Sequence, residues 1–81
     1  CHPIAIHGVE LELQVVDDGV TLACRVKTAD RTGVEMEALT AVSVAALTVV
    51  DMIKAIDPGA TITDIGVVEK DGGRNGLWQR P

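Results

Sequence analysis

Charged residues between positions 35 and 54 are of types that can take part in acid/base chemistry. Asp51 and Lys54 are three positions apart, so on a helix they lie on adjacent turns, close enough for the carboxylate and the ammonium to interact. The same spacing is typical of a surface ion pair worth about 0.3–0.5 kcal/mol, and spacing alone favours that simpler interpretation.

Glu37 lies on the same helical stripe as Asp51, but the two are fourteen positions apart. At about 1.5 Å per residue the separation is about 21 Å, so both cannot act on one small reacting centre within one chain. If two such helices meet antiparallel across a dimer axis, the Glu37 end of one approaches the Asp51 end of the other. The spacing therefore predicts a site shared between subunits, which a monomeric protein would contradict.

Cations and glycines near the end of the chain could bind phosphate. Lys70 and Arg74 flank Gly72 and Gly73, whose free amides and conformational freedom suit an anion-binding nest. A glycine-rich tail with scattered cations is also typical of a solvated loop, and the spacing of a nucleotide-binding P-loop is absent. Both interpretations stay open.

Thiols and imidazoles do not form a recognisable metal motif. Cys1, His2, His7 and Cys24 have none of the paired spacing of zinc sites, so no metal site is predicted. Two cysteines in a chain without a secretory segment indicate reduced thiols in a cytoplasmic protein rather than a disulfide.

Alternating apolar and polar residues predict an antiparallel hairpin. The period of two runs through 9–15 and again through 20–26, and Asp17-Asp18-Gly19 supplies the turn between them. A further β-branched stretch at 61–68 predicts another strand.

A long helix is predicted from Val34 to about Ile56. Its start fits a capping box, in which Thr32 caps the first free amides and Glu35 reaches back to the cap residue's own amide. Proline at position 58 disfavours helix in the residue before it and ends the helix. Met36, just inside, is interpreted first as core filler.

The composition bounds the kind of protein. The 81 residues make one domain, 1–81, and 47% of them are apolar, yet there is no Phe or Tyr and only one Trp, so the core consists of small aliphatic side chains and needs packing against other subunits. A net charge of −5 argues against nucleic acid, and polar residues interrupt any run long enough to cross a membrane. The expected architecture is a single α+β layer pair, with upstream residues completing it.

Three blocks closely resemble the family of molybdenum cofactor biosynthesis protein C, the cyclic pyranopterin monophosphate synthases. They are TGVEMEALTAVSVAALT from Thr32, DMIKA from Asp51 and EKDGG from Glu69. The opening Cys1-His2-Pro3 matches the family's Leu-Cys-His-Pro motif without its leucine. The chain is therefore interpreted as the C-terminal part of such a subunit, truncated upstream.

The resemblance implies a ferredoxin-like α+β subunit, assembled as a homohexamer of three dimers with the active site at the dimer interface. It implies conversion of a cyclised dihydro-GTP to cyclic pyranopterin monophosphate with release of pyrophosphate and without a cofactor. By motif, Asp51 is the catalytic acid/base and Lys54 its cationic partner. The residues that line the substrate site are Cys1, His2, Met36 and Glu37, with Glu35 and Lys70 as secondary contributors.

Two other functions remain open from the sequence. A non-catalytic subunit of the same fold could hold a pterin or nucleotide without converting it, because the family carries a further functional lysine upstream of the Cys-His-Pro motif. A structural α+β oligomerisation domain would need only the small residues of the helix, with its charges solvated.

Overall fold

A computed structural model describes residues 6–28, 33–72 and 76–81, apart from the side chain of residue 7. In chain order its elements are β1 (Ile6–Val16), β2 (Gly19–Thr28), α1 (Glu35–Ile53), β3 (Glu69–Lys70) and β4 (Trp78–Gln79). The α+β class and the long helix are confirmed. The expected single sheet is not: in the described residues β1 pairs only with β2, and β3 only with β4.

The predicted hairpin is confirmed in its strands and its turn. β1 and β2 run antiparallel, with Leu11 opposite Cys24 and Leu13 opposite Leu22, and the register shifts once near Gly8. Residues 17 and 18 form a two-residue turn. Alternation therefore places the apolar side chains of both strands on one face of the sheet.

Helix α1 covers only part of that apolar face. It packs against β2, and alternate side chains of β2 from Leu22 to Thr28 are half-buried. Along β1, Leu11 remains 55% exposed, Leu13 52% and Val15 76%. No residue in the described part of the chain is fully buried. The described residues therefore form paired secondary structure without a closed hydrophobic core.

The start of α1 differs from the predicted capping box. The helix begins at Glu35, and its N-cap is Val34, which makes no side-chain cap hydrogen bond. Glu35 is therefore the first helical residue rather than the third, so its carboxylate cannot play the reciprocal role of a capping box. Thr32, the predicted cap, lies outside the described residues.

The end of α1 comes three residues earlier than predicted. The helix stops at Ile53, whose carbonyl accepts hydrogen bonds from the amides of Ile56 and Asp57, both at 2.9 Å. Residues 54–56 are a turn rather than helix. The shorter hydrogen-bonded turn tightens the chain before Pro58, as is common at helix ends.

The predicted strand at 61–68 is wrong. β-branched residues favour extended backbone, but a strand also needs a pairing partner. Asp64 has a φ of 57°, in the left-handed region, which interrupts any regular strand. Pairing begins only where the amide of Arg80 donates to the carbonyl of Val68 at 2.8 Å, just before the short β3.

By length and composition alone, α1 could cross a membrane, so the expectation that polar residues interrupt every run of sufficient length is wrong. The core helix of a soluble protein meets the same criterion, so this is weak evidence. Its two acidic residues in the first turn and its packing against β2 fit a helix that lies on a sheet.

Candidate functional site

Asp51 and Lys54, at the C-terminal end of α1, form the contact that their spacing allows. Lys54 Nζ donates a hydrogen bond to Asp51 Oδ1 at 2.7 Å, and the side chains are 66% and 72% exposed. Lys54 is the C-cap residue of α1, so its stem leaves the helix where the backbone turns. A carboxylate and an ammonium in contact, open to solvent, can hand a proton to or from a bound molecule.

Glu37 and Met36 lie at the opposite end of the helix. Met36 is 50% exposed and Glu37 half-buried. Because α1 is continuous through both sites, Glu37 stays about 21 Å from Asp51 along the axis. Within one chain the structure therefore does not bring the two carboxylates together.

The stripe between these carboxylates carries no free charge. Thr40 Oγ1 donates to the carbonyl of Met36 at 2.7 Å, and Thr48 Oγ1 donates to that of Val44 at 2.8 Å. Both hydroxyl groups therefore donate their hydrogen bonds to carbonyls of α1 itself. Val44 and Leu47 beside them are 55% and 60% exposed, so this outer face of α1 is apolar between charged ends.

A second charged group lies at the first turn of α1. Glu35 Oε1 is 3.3 Å from Lys70 Nζ on β3, with side chains 36% and 51% exposed. The pKa of the Glu35 carboxyl is lowered below its ordinary 4.5, first because its own backbone amide binds the ionised form and then because Lys70 does. This contact joins residues 35 positions apart, and nothing in their spacing predicts it.

The neighbour of Lys70 ties β3 to the rest of the chain. Glu69 lies 3.7 Å from a guanidinium nitrogen of Arg25 on β2 and accepts a hydrogen bond from Gln79 Nε2 at 2.8 Å. Successive residues of a strand point to opposite sides. Glu69 thus connects β3 to the hairpin, whereas Lys70 connects it to α1.

The predicted anion-binding nest is partly described. Gly72 has a φ of 89°, but its amide donates to Asp71 Oδ1 at 2.7 Å, so one expected donor is occupied by a carboxylate. Gly73 and Arg74 lie outside the described residues.

Cys1 and His2, predicted to line the substrate site, also lie outside the described residues. Cys24 is a free, half-buried thiol beneath α1. Within 6–28, 33–72 and 76–81 there is no group of three His, Cys, Asp or Glu side chains arranged to hold a metal ion.

A helix on a hairpin, with a carboxylate–ammonium pair at each end of the helix, defines an α+β unit whose apolar face is only partly covered in the described residues. The profile of the MoaC family matches residues 1–73. The chain belongs to the MoaC family.

Proteins named cyclic pyranopterin monophosphate synthase are similar along the whole chain. The one from Streptomyces avermitilis is 65% identical over 80 residues, covering 99% of this chain and 47% of the relative. One from Nocardioides sp. is 62% identical over 84 residues, covering 100% of this chain and 52% of the relative. Cyclic pyranopterin monophosphate synthase 2 of Mycobacterium tuberculosis is 58% identical over 80 residues, covering 99% of this chain and 48% of the relative. The chain thus spans about half the length of the curated relatives it matches.

Proposed function

We propose that this chain is the part of a cyclic pyranopterin monophosphate synthase that carries its acid/base pair, acting in molybdenum cofactor biosynthesis. The reaction converts a cyclised dihydro-GTP to cyclic pyranopterin monophosphate and releases pyrophosphate. The observation that carries the proposal is 65% identity to a protein of that name over 99% of the chain. The contact between Asp51 and Lys54 at 2.7 Å supports it, because it supplies a carboxylate and an ammonium in proton-transfer contact.

The proposed roles follow the chemistry of the reaction. Rearranging the ring system moves protons on and off nitrogen and oxygen, which Asp51 and Lys54 carry out as acid/base pair. Departure of pyrophosphate develops negative charge, which Lys54 and Lys70 stabilise. Cys1, His2, Met36 and Glu37 line the substrate.

The proposed assembly is a homohexamer of three dimers with ferredoxin-like subunits, in the cytoplasm. Apolar side chains left exposed on β1 and on the outer face of α1 support burial against further protein. The net charge of −5 supports a small-molecule substrate rather than nucleic acid.

The test is incubation of the protein at its natural length with cyclised dihydro-GTP, followed by detection of pyranopterin monophosphate and pyrophosphate. Asp51→Asn, nearly the same size but unable to take up a proton, is the control. Product from wild type alone supports the synthase and the role of Asp51. Product from both would remove Asp51 from the chemistry.

A second candidate is a subunit that binds a pterin or nucleotide without converting it. Its support is that an ammonium held beside a carboxylate, as Lys70 is at 3.3 Å from Glu35, suffices to bind an anionic group without converting it. A ligand-dependent rise in melting temperature without product would favour it. Absence of both would favour the structural oligomerisation domain.

A further inference from the structure

We propose that Glu35 is a positioning residue that acts through Lys70, holding the Lys70 ammonium at the start of α1, and that it does not itself touch the substrate. The inference rests on the proposed function, in which Lys70 binds an anionic group of the substrate. It changes the role of Glu35 from a secondary substrate contact to the partner of a cation.

The carboxylate of Glu35 is already occupied in the structure. One oxygen lies 3.3 Å from Lys70 Nζ, and the backbone amide of Glu35 also favours the ionised form, which lowers the pKa of the carboxyl. A free carboxylate beside a triphosphate would repel it, whereas a carboxylate paired with a lysine orients a donor towards it. The lowered pKa keeps Glu35 ionised at neutral pH, so it serves as an acceptor rather than a proton donor.

Because Gly33 has no side chain, the carboxylate of Glu35 can occupy the space beside it. A Cβ built on Gly33 would collide with Glu35 Oε2 and lie 2.8 Å from Oε1 and 2.9 Å from Cδ. Any larger residue at position 33 must therefore push the carboxylate away from its place beside Lys70. Gly33→Ala thus becomes a perturbation of the pair that removes neither charge.

The side chain of Lys70 and the strand that carries it are each held by a separate ion pair. Glu35 fixes its ammonium relative to α1, and the adjacent Glu69 links β3 to Arg25 of the hairpin at 3.7 Å. Without Glu35, the backbone of β3 keeps its tie to the hairpin, but the long side chain of Lys70 regains rotamer freedom. The expected cost is therefore mainly in binding the anion, with only the small change in stability of an exposed ion pair.

The experiment measures KM, kcat and pyrophosphate affinity for the protein at its natural length. The variants are Glu35→Gln, Lys70→Met, their double mutant and Gly33→Ala. Lys70→Met should weaken pyrophosphate binding roughly tenfold or more and lower kcat as well, because Lys70 stabilises the charge of the departing group. Glu35→Gln and Gly33→Ala should weaken pyrophosphate binding by about two- to fivefold, with a smaller loss in kcat than in Lys70→Met. The double mutant should be no weaker than Lys70→Met, because Glu35 acts only through that lysine.

Glu10→Gln is the matched control, because Glu10 makes a comparable exposed pair with Lys27 at 3.6 Å, outside the proposed site. It should leave KM unchanged. Additive losses in the double mutant would overturn the proposal in favour of direct substrate contact, and an unchanged KM in Glu35→Gln would overturn it as well. Circular dichroism of each variant separates these outcomes from a failure to fold.

Carbon-13 NMR titration of the Glu35 carboxyl gives a readout that needs no turnover. Lys70→Met should raise the pKa of Glu35 towards its ordinary value, because one of the groups that lower it is removed. If the pKa of Glu35 is unchanged in Lys70→Met, the contact between the two side chains is refuted, whether or not the protein is active. If the contact is present but no pyranopterin forms, the proposed function fails and the contact stands.

Discussion

Replacing Lys54 by Ala distinguishes a catalytic ammonium from a surface ion pair, because the two roles predict effects of different size. Lys54 contacts Asp51 at 2.7 Å with both side chains about two-thirds or more exposed, at 66% and 72%. Such a pair contributes about 0.2–1 kcal/mol to folding, so the free energy of unfolding should change by no more than that. Loss of positioned proton transfer costs a factor of about 10²–10⁴ in rate, which is about 2.7–5.4 kcal/mol of barrier.

The assay measures product formation and urea unfolding on the same preparations, with Lys27→Ala as the matched control. Lys27 pairs with Glu10 at 3.6 Å and is 60% exposed, so its loss removes a similar surface pair. We expect Lys54→Ala to lose at least about a hundredfold in kcat with assembly intact, and Lys27→Ala to stay within about twofold. Equal activity in the two variants would refute the catalytic role, and loss of assembly in Lys54→Ala would show that its role is structural.

Two further predictions concern stability. The lowered pKa of Glu35 means that its pair adds stability above about pH 4.5, which is lost as the pH falls through the lower folded-state pKa. The urea midpoint should therefore drop more between about pH 5 and pH 3 in wild type than in Glu35→Gln, and equal drops would contradict this. Leu13, 52% exposed on the apolar face of the hairpin, must be covered in a stable protein. At natural length Leu13→Lys should destabilise by about 2 kcal/mol or more, and Gln14→Lys, on the opposite face, by less than about 0.5 kcal/mol in urea unfolding. Equal effects of these two substitutions would show that the face stays open to water.

The elements that the sequence predicts correctly are those specified by neighbouring residues. Alternation through 9–15 and 20–26 specifies a two-sided strand pair and its register, and the two-residue turn follows from local chemistry. The helix is likewise specified by its own residues, although its ends shift because capping and termination depend on backbone geometry.

The errors concern contacts between distant residues. The stretch 61–68 has strand-forming residues, but its backbone takes a left-handed turn at Asp64 and finds no ladder partner in the described chain. The pairing of Glu35 with Lys70 depends on where β3 returns to α1, which no spacing rule contains. The family resemblance points to Glu35 and to Lys70 separately, but only the structure shows that the two side chains are in contact.

The arrangement of charges along α1 leads to a last prediction about how subunits share a site. Glu37 and Asp51 are fourteen residues apart, which is four helical turns less about 40°, so they share one face of α1. Asp51 and Glu35 are about 160° apart around the same helix. If a second α1 packs antiparallel on the outer face, its Asp51 and Lys54 approach Glu37 of the first helix. Glu35 and Lys70 lie at that same helix end, on another side of the helix, within reach of the far end of a substrate bound there. Each site then takes its acid/base pair from one chain and its anion-binding lysine from the other.

Mixing inactive subunits tests this directly. Asp51→Asn and Lys70→Met proteins, each impaired alone, should regain activity when unfolded and refolded together, because hybrid dimers place both substitutions in one site and leave the other intact. Random assortment at equal amounts makes half of the dimers hybrid, which gives about one quarter of wild-type activity. A mixture no more active than the average of its two components would mean that Asp51 and Lys70 serve the same site from the same chain. The control is a mixture of Asp51→Asn with Lys54→Ala: both come from one chain in either arrangement, so every hybrid site stays impaired.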